Sequence, residues 1–228
     1  MQSYKIPYSK TKQFSNLVID YLANDEKLKP FISDFPTIDG FEKQITEKQN
    51  YPVNREVLVS VLKEQNKEFN LTELSNNNID LLLSEDTFTI TTGHQLCLFT
   101  GPVYFMYKII STINLAEKVK TKYPKNNFVP IFWMATEDHD FEEIKSINLF
   151  GKKVIWESEQ EGAVGKIKLN GIAKIIQELE GKLGNNEHAN NLIELFKNAY
   201  LNHATLADAT RYLVNELFGK YGIVILDG

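Results

Sequence analysis

The chain has 228 residues, a formal net charge of −5, and 43% hydrophobic against 24% charged residues, the composition of a soluble globular protein with one α/β domain or slightly more. The negative balance argues against a nucleic-acid backbone binder, and of 25 basic residues only Arg55 and Arg211 are arginines, so bidentate phosphate clamps are scarce. A single cysteine, Cys97, excludes an internal disulfide framework and a cysteine-based zinc site, while the lack of a signal-peptide core or a membrane-length apolar run reads as a cytoplasmic protein with no membrane partner.

Residues 1–85 read as a helical N-terminal region packing on a core. "SNLVIDYLAND" and "NREVLVSVLKEQNKEF" carry apolar residues at helical spacing, the second with Val57, Val61 and Leu62 on one side. Between them Pro30, Pro36 and Gly40 mark an irregular connection. "LSNNNIDLLLSED" reads as a short helix. The core, over 86–228, begins with the β-branched strand "TFTITT" at 87–92. After a loop, Gly101 and Pro102 fit an N-cap and first helical residue, and the helix is expected to run to about Tyr123 with Val103, Met106, Ile110, Ile113 and Val119 buried. "FVPIFWMA" at 128–135 is a second strand, apolar throughout and so buried on both faces, with Phe132 and Trp133 in the core. Strand, helix and strand in this order make a βαβ unit and a parallel sheet.

"KKVIWES" at 152–158 reads as a strand, with "AVGKIKL" as its hairpin partner. The pattern is helical over 172–183 and over 188–218, where Thr205 with Asp208 reads either as a cap or, with Asn202 and His203, as an approach to the site. "GIVILD" at 222–227 is another buried parallel strand. A parallel strand that stops dead calls for more chain, so the core is expected to be truncated at its C-terminal end.

In an open parallel sheet, ligands bind beyond the carboxyl ends of the strands. Two polar loops lie there: "TTGHQLCLFTGP" (91–102) and "EDHDFEE" (137–143). The first matches neither a dinucleotide fingerprint nor a P-loop. It offers free backbone N–H groups at a helix N-terminus, which suit a phosphate or carboxylate, with Lys108 and Tyr104 on the same wall. The bland alternative is that Gly93 and Gly101 shape turns and Lys108 is solvated. In the second loop Glu137, Asp138, His139 and Asp140 are solvated, mutually paired, or bound to a ligand or cation. His139 is a candidate general base held by Asp138 or Asp140; a divalent ion on Asp138, His139 and Asp140 would make a metal-dependent hydrolase. Asp140 with Glu143 also fits a helix cap. Cys97, flanked by Leu96, Leu98 and Phe99, reads as a buried small residue rather than an activated thiol.

Taken together, "TGHQLCLFTGPVYFMYKIIS", "VPIFWMATEDHDFEEI" and "TLADATRYLVNELFGKYGIVILD" resemble the bacillithiol biosynthesis cysteine-adding enzyme family, the BshC cysteine ligases. The resemblance covers 87–227 well and the N-terminal helices more loosely, and it rests on a T-G-x-Q loop, a T-G-P-x-Y helix start with a following lysine, and E-D-H-D-F-E-E. It implies a Rossmann-like core distantly similar to class I aminoacyl-tRNA synthetases. It also implies a ligase joining cysteine to glucosaminyl-malate by an amide, through carboxylate activation by ATP or another nucleotide, with no metal. Family members carry a C-terminal coiled coil linked to dimerisation, which is missing from this sequence, as are the synthetase H-x-G-H and K-M-S-K-S signatures. The positions carried over are Thr92, Gly93, Gln95, Thr100, Gly101, Pro102 and Tyr104 for substrate or nucleotide binding, and Lys108, Glu137, Asp138, His139 and Asp140 for catalysis. The family often has glutamine where this chain has His94. A truncated, non-catalytic binding module is the further alternative.

Overall fold

The computed structural model describes residues 4–228, and the chain divides into two compact units between Pro52 and Val53. The first unit holds α1 (Tyr8–Thr11), α2 (Asn16–Leu22) and α3 (Phe41–Gln49), with a 3-10 stretch at Glu26–Phe31. Its helix starts are locally encoded: Ser15 accepts the Val18 N–H at α2, and Asp25 accepts the Lys27 N–H at the 3-10 turn.

The second unit opens with α4 (Arg55–Asn66) and α5 (Glu73–Leu81), capped by Asn54 and Thr72. A parallel sheet follows, built from β1 (Thr87–His94), β2 (Asn127–Met134) and β5 (Val224–Asp227) in the order β1-β2-β5. α6 (Tyr104–Lys122) links β1 to β2 as the expected βαβ unit. Between β2 and β5 come α7 (Phe141–Ile144), the hairpin β3 (Ser146–Leu149) and β4 (Lys152–Ile155), then α8 (Ile172–Leu183), α9 (Glu187–Leu201) and α10 (Leu206–Phe218).

Strand side chains alternate between two apolar layers. Phe132, Met134 and Ile225 pack with Phe105, Ile109 and Ile113 of α6 and with Leu213, Val214 and Phe218 of α10. On the other face Val129, Ile131 and Val224 meet Val59 and Leu62 of α4 and Ile79 of α5. Pro130 is tolerated in β2 because β5 pairs only with 131–134, so the proline lies just outside the doubly bonded stretch.

Several expectations need correction. α6 begins at Tyr104 rather than Pro102, and its buried stripe is Phe105, Ile109, Thr112, Ile113, Ala116 and Val119; Val103 and Ile110 are exposed. The Phe105 ring sets that rotation by packing 5.3 Å, centroid to centroid, from Phe132. On α4 the buried residues are Val59, Leu62 and Asn66, leaving Val57 and Val61 outside. Trp133 is 42% exposed although Phe132 beside it is buried, because α4 and α5 cover its face of β2 only as far as Ile131. β4 pairs with β3 and not with "AVGKIKL". Phe150 and Gly151, both at positive φ, form a two-residue turn that fits the strand twist. Val164–Lys166 is a 3-10 turn instead. The helical run after 188 breaks at Asn202, and Thr205 caps α10 by accepting the Asp208 N–H at 3.2 Å.

Candidate functional site

The three strands finish level. His94, Met134 and Asp227 lie in one row, so the segments that follow β1, β2 and β5 emerge side by side. That row positions the site.

Beyond β1, Gly93, His94, Gln95, Tyr104, Lys108 and Ala135 line an open cleft of about 300 Å³. Lys108 Nζ donates to the Gly93 carbonyl at 2.9 Å, which draws the ammonium back across the first turns of α6 to the strand end. It also lies 5.9 Å from the Tyr104 ring centroid. His94 is buried beside Tyr104 and Phe105, with ring centroids 4.9 and 5.1 Å away. Its Nδ1–H donates to the Gln95 carbonyl at 2.9 Å, and Nε2 has no partner. Burial pushes the imidazole below its ordinary pKa, and the Lys108 charge adds to this.

The rest of the first loop is a structural turn. Phe99 and Thr100 both adopt positive φ, a costly conformation for non-glycine residues. The buried Tyr200 hydroxyl holds the Phe99 N–H at 2.8 Å. Gly101 also has positive φ, and a Cβ there would run into the Cys97 side chain. Its N–H is spent on the Leu98 carbonyl at 2.9 Å. Thr100 and Gly101 therefore shape the approach to α6 without lining the cleft, and Thr92 stays within β1 opposite Phe132. Cys97 is buried, as expected, and burial pushes its thiol up to about 11, away from thiolate chemistry at neutral pH.

Gln95 joins the two loops. Its Nε2 donates to Asp138 Oδ2 at 3.0 Å and to Glu143 Oε2 at 2.8 Å. The other Asp138 oxygen accepts the His139 and Asp140 N–H groups at 2.7 and 3.1 Å, closing a turn on itself. The Gln95 hydrogen bond, followed by the Asp140 N–H, holds the Asp138 carboxyl below its ordinary pKa. Asp140 caps α7 by accepting the Glu143 N–H at 3.3 Å. Both aspartates are engaged in this way, and His139 stands exposed with its ring bonded to neither of them. Glu137 is exposed beside it. Among the described residues no group of three or more His, Cys, Asp or Glu is placed to hold a metal, so geometry gives the hydrolase alternative no support.

Several residues that support the site escaped sequence reasoning. Val164 N–H donates to the Asp138 carbonyl at 2.6 Å and Gly165 N–H to the Thr136 carbonyl at 3.0 Å, so the 3-10 turn underpins the second loop. A Cβ on Gly165 would overlap Thr136, which is why glycine stands there. Thr136 Oγ1 donates to Asp227 Oδ1, and Arg211 Nη2 meets Asp227 Oδ2 at 3.1 Å. Arg211 is 2% exposed and also donates to Asn66 Oδ1 at 2.8 Å. Gln65 pairs with both backbone groups of Asp227, at 3.0 and 3.3 Å. The available signal was a lone arginine on the apolar face of α10, with a strand that ends in aspartate.

With this geometry in view, comparison with known proteins is informative. The family model described as "Bacillithiol biosynthesis BshC, N-terminal Rossmann-like domain" matches residues 1–228. A protein of Flavobacterium psychrophilum named "Putative cysteine ligase BshC" is 51% identical over 98% of this chain and 43% of its own length. Its namesakes in Christiangramia forsetii and Chlorobaculum tepidum are 48% and 30% identical, over 97% and 99% of this chain. The chain thus spans less than half the length of these relatives, 42% and 43% for the latter two. With the family model matching end to end and a parallel sheet of the expected kind, the chain belongs to the BshC family of bacillithiol biosynthesis, as its N-terminal Rossmann-like domain.

Proposed function

We propose that this chain carries the ligation site of an enzyme that adds cysteine to glucosaminyl-malate through an amide bond, the cysteine carboxylate being activated with ATP or another nucleotide. The observation that carries this reading is the Gln95 bridge, which ties the cationic cleft after β1 to the acidic and histidine-bearing loop after β2. Amide formation needs both halves: a cation and backbone donors where negative charge develops, and a base near the amine that attacks.

The residues fit an anion on the β1 side. Lys108 spends one N–H on the Gly93 carbonyl and retains two, and the cleft beside it is open. A nucleoside triphosphate, when bound, supplies the leaving group that turns a carboxylate into an acylating agent. In this reading Gly93, Gln95, Tyr104 and Lys108 position that carboxylate and its developing charge. Thr92, Thr100 and Gly101 fix the backbone that presents them. His139 takes the proton from the sugar amine as the amide bond forms. Asp138 and Asp140 act by fixing the loop backbone that carries His139, and Glu137 lies beside it.

The test is product formation from cysteine, glucosaminyl-malate and ATP, read by mass spectrometry as a new thiol, in the protein at its relatives' full length and in the 228-residue chain. His139→Ala is expected to abolish the product, a loss of at least about 100-fold, with an unchanged circular-dichroism spectrum. A fully active variant rejects the role of His139, and a longer protein that makes no product rejects the ligase reading.

A further inference from the structure

His94 closes β1 with its ring turned inward, 6% exposed, and it is among the residues that line the cleft after that strand. One edge of the imidazole is occupied. Nδ1 faces the Gln95 carbonyl at 2.9 Å, with Cys97 Sγ 3.8 Å away. A carbonyl oxygen only accepts, so Nδ1 carries the proton and Nε2 is a bare lone pair. That lone pair is sealed from solvent and has no donor among the described residues. An acceptor buried without a partner is destabilising, and one at the wall of a cleft is a place for a donor that the chain itself does not supply.

The seal has one movable part. Tyr104 and Phe105 both lie against the imidazole, with ring centroids 4.9 and 5.1 Å from it. Phe105 is buried and packed on Phe132, so it cannot yield without opening the core. Tyr104 is more than half exposed, stands in the first turn of α6 and lines the cleft. A change of rotamer moves its ring at the expense of little beyond that one contact. Lys108, one turn further along the helix, is near enough for its charge to act on the imidazole. A cation and a neutral acceptor thus flank the same tyrosine ring, and all three residues belong to the 15-residue stretch from the end of β1 into α6.

We propose that His94 Nε2 is the specificity contact for the ammonium group of an α-amino acid whose carboxylate meets Lys108, and that the Tyr104 ring moves off Nε2 to admit it. The inference rests on the ligase reading for cysteine as that amino acid. The two walls match the two ends of the ligand. Lys108 has only donors and takes the carboxylate, whereas Nε2 has only a lone pair and takes an ammonium N–H. Both ligand groups sit on one carbon, so a carboxylate at Lys108 presents the ammonium to the wall beside it. The face of the Tyr104 ring adds to the attraction for a cation. A phosphate chain ionised at neutral pH brings no donor and leaves Nε2 orphaned. The contact also has a chemical consequence. An amine held as ammonium has no lone pair, so the amino acid being activated cannot attack a second activated molecule. The attacking amine is then the one that His139 deprotonates.

Calorimetric titration of the 228-residue chain with cysteine, 3-mercaptopropionate, which lacks the amine, and 2-aminobutyrate, which lacks the thiol, tests the assignment. His94→Phe keeps a ring but no acceptor, and is expected to weaken cysteine and 2-aminobutyrate binding about tenfold or more. His94→Gln, whose amide oxygen can accept, is expected to restore most of that loss. 3-Mercaptopropionate is expected to bind the unaltered chain and His94→Phe alike, which a general loosening of the loop through Gln95 would not produce. The His94 Nε2 resonance in nitrogen NMR should move on addition of cysteine and stay in place with 3-mercaptopropionate. Cysteine binding undiminished in His94→Phe overturns the contact, as does an equal loss for all three ligands or an unaltered chain that binds no cysteine. ATP binding that His94→Phe abolishes while cysteine binding persists assigns Nε2 to the nucleotide instead. Cysteine binding with these preferences but without amide product in the assay above would reject the ligase reading and leave the amino-acid contact standing.

Discussion

Gln95 has one amide group that bonds two carboxylates from a loop more than forty positions away. Replacing it by leucine, close in size but without donors, leaves Asp138 Oδ2 and Glu143 to water and cuts the loops apart. Gln95→Leu is expected to lower product formation by about 10- to 100-fold while the far-ultraviolet spectrum stays the same, since positioning at a reacting centre is steeply sensitive to small displacements. The pH response carries the same information. Asp138 has a lowered pKa in the folded chain, so its ionised form steadies the loop at all pH values above the ordinary carboxylate range. That support is lost as pH falls through the lowered value. In Gln95→Leu the Asp138 titration, followed by carboxyl carbon NMR, should move up towards the ordinary value, and the loop should loosen at correspondingly higher pH. Gln95, Asp138 and His139 could be picked out as candidates because polar groups at strand ends have few structural reasons to be there. Their pairing was not legible. Nothing local in "EDHD" indicates that Asp138 turns to backbone N–H groups and a glutamine rather than to His139, whereas the cap that Asp140 makes with Glu143 was readable from its spacing.

Among the elements, the approach to α6 holds three successive residues at positive φ: Phe99, Thr100 and Gly101. Tyr200 and the Cys97 side chain fix this turn from beneath. Gly101→Ala must place a methyl group on Cys97 in an unfavourable conformation, and is expected to destabilise the chain by about 1–3 kcal/mol, read as a lower urea midpoint with an unchanged slope. The strands of the sheet were readable because β-branched and unbroken apolar runs have few other uses. The helix stripes were readable only to within a position, since the direction a helix turns its face depends on which large residue finds a partner. For α6 that residue was Phe105, and Val103 and Ile110 lost their places. The partner of β4 was missed for a related reason. A two-residue turn at Phe150–Gly151 makes the nearer pairing cheap, while "AVGK" is claimed by Thr136 and Asp138.

At the scale of the whole second unit, Arg211 and Asp227 fasten α10, α4, β5 and the loop after β2 at one point. Burial pulls the Arg211 pKa down and the Asp227 carboxylate pulls it back up; the guanidinium stays charged, so its burial is compensated only while that partner is beside it. Asp227→Ala, which strands a buried guanidinium, is expected to cost about 3–5 kcal/mol in chemical denaturation. Arg211→Met, which removes the charge and keeps much of the volume, should cost less, because the groups it leaves without a donor are a half-exposed carboxylate and the neutral amide oxygen of Asn66. A sequence cannot announce such a junction, because its four contributors come from four separate elements and each, alone, is an ordinary polar residue.

The order β1-β2-β5 has a practical corollary. Among the described residues β1 has a strand on one side only, and its sequence, "TFTITTGH", has no lysine, carboxylate or proline along that outer rim. Proteins usually blunt such rims with charge or proline, because bare hydrogen-bonding groups on a β-prone segment recruit further strands, including those of other molecules. Isolated from the greater length of its relatives, this domain is therefore inclined to self-associate as concentration rises. Its colloidal behaviour is a property to be managed before any binding isotherm is interpreted.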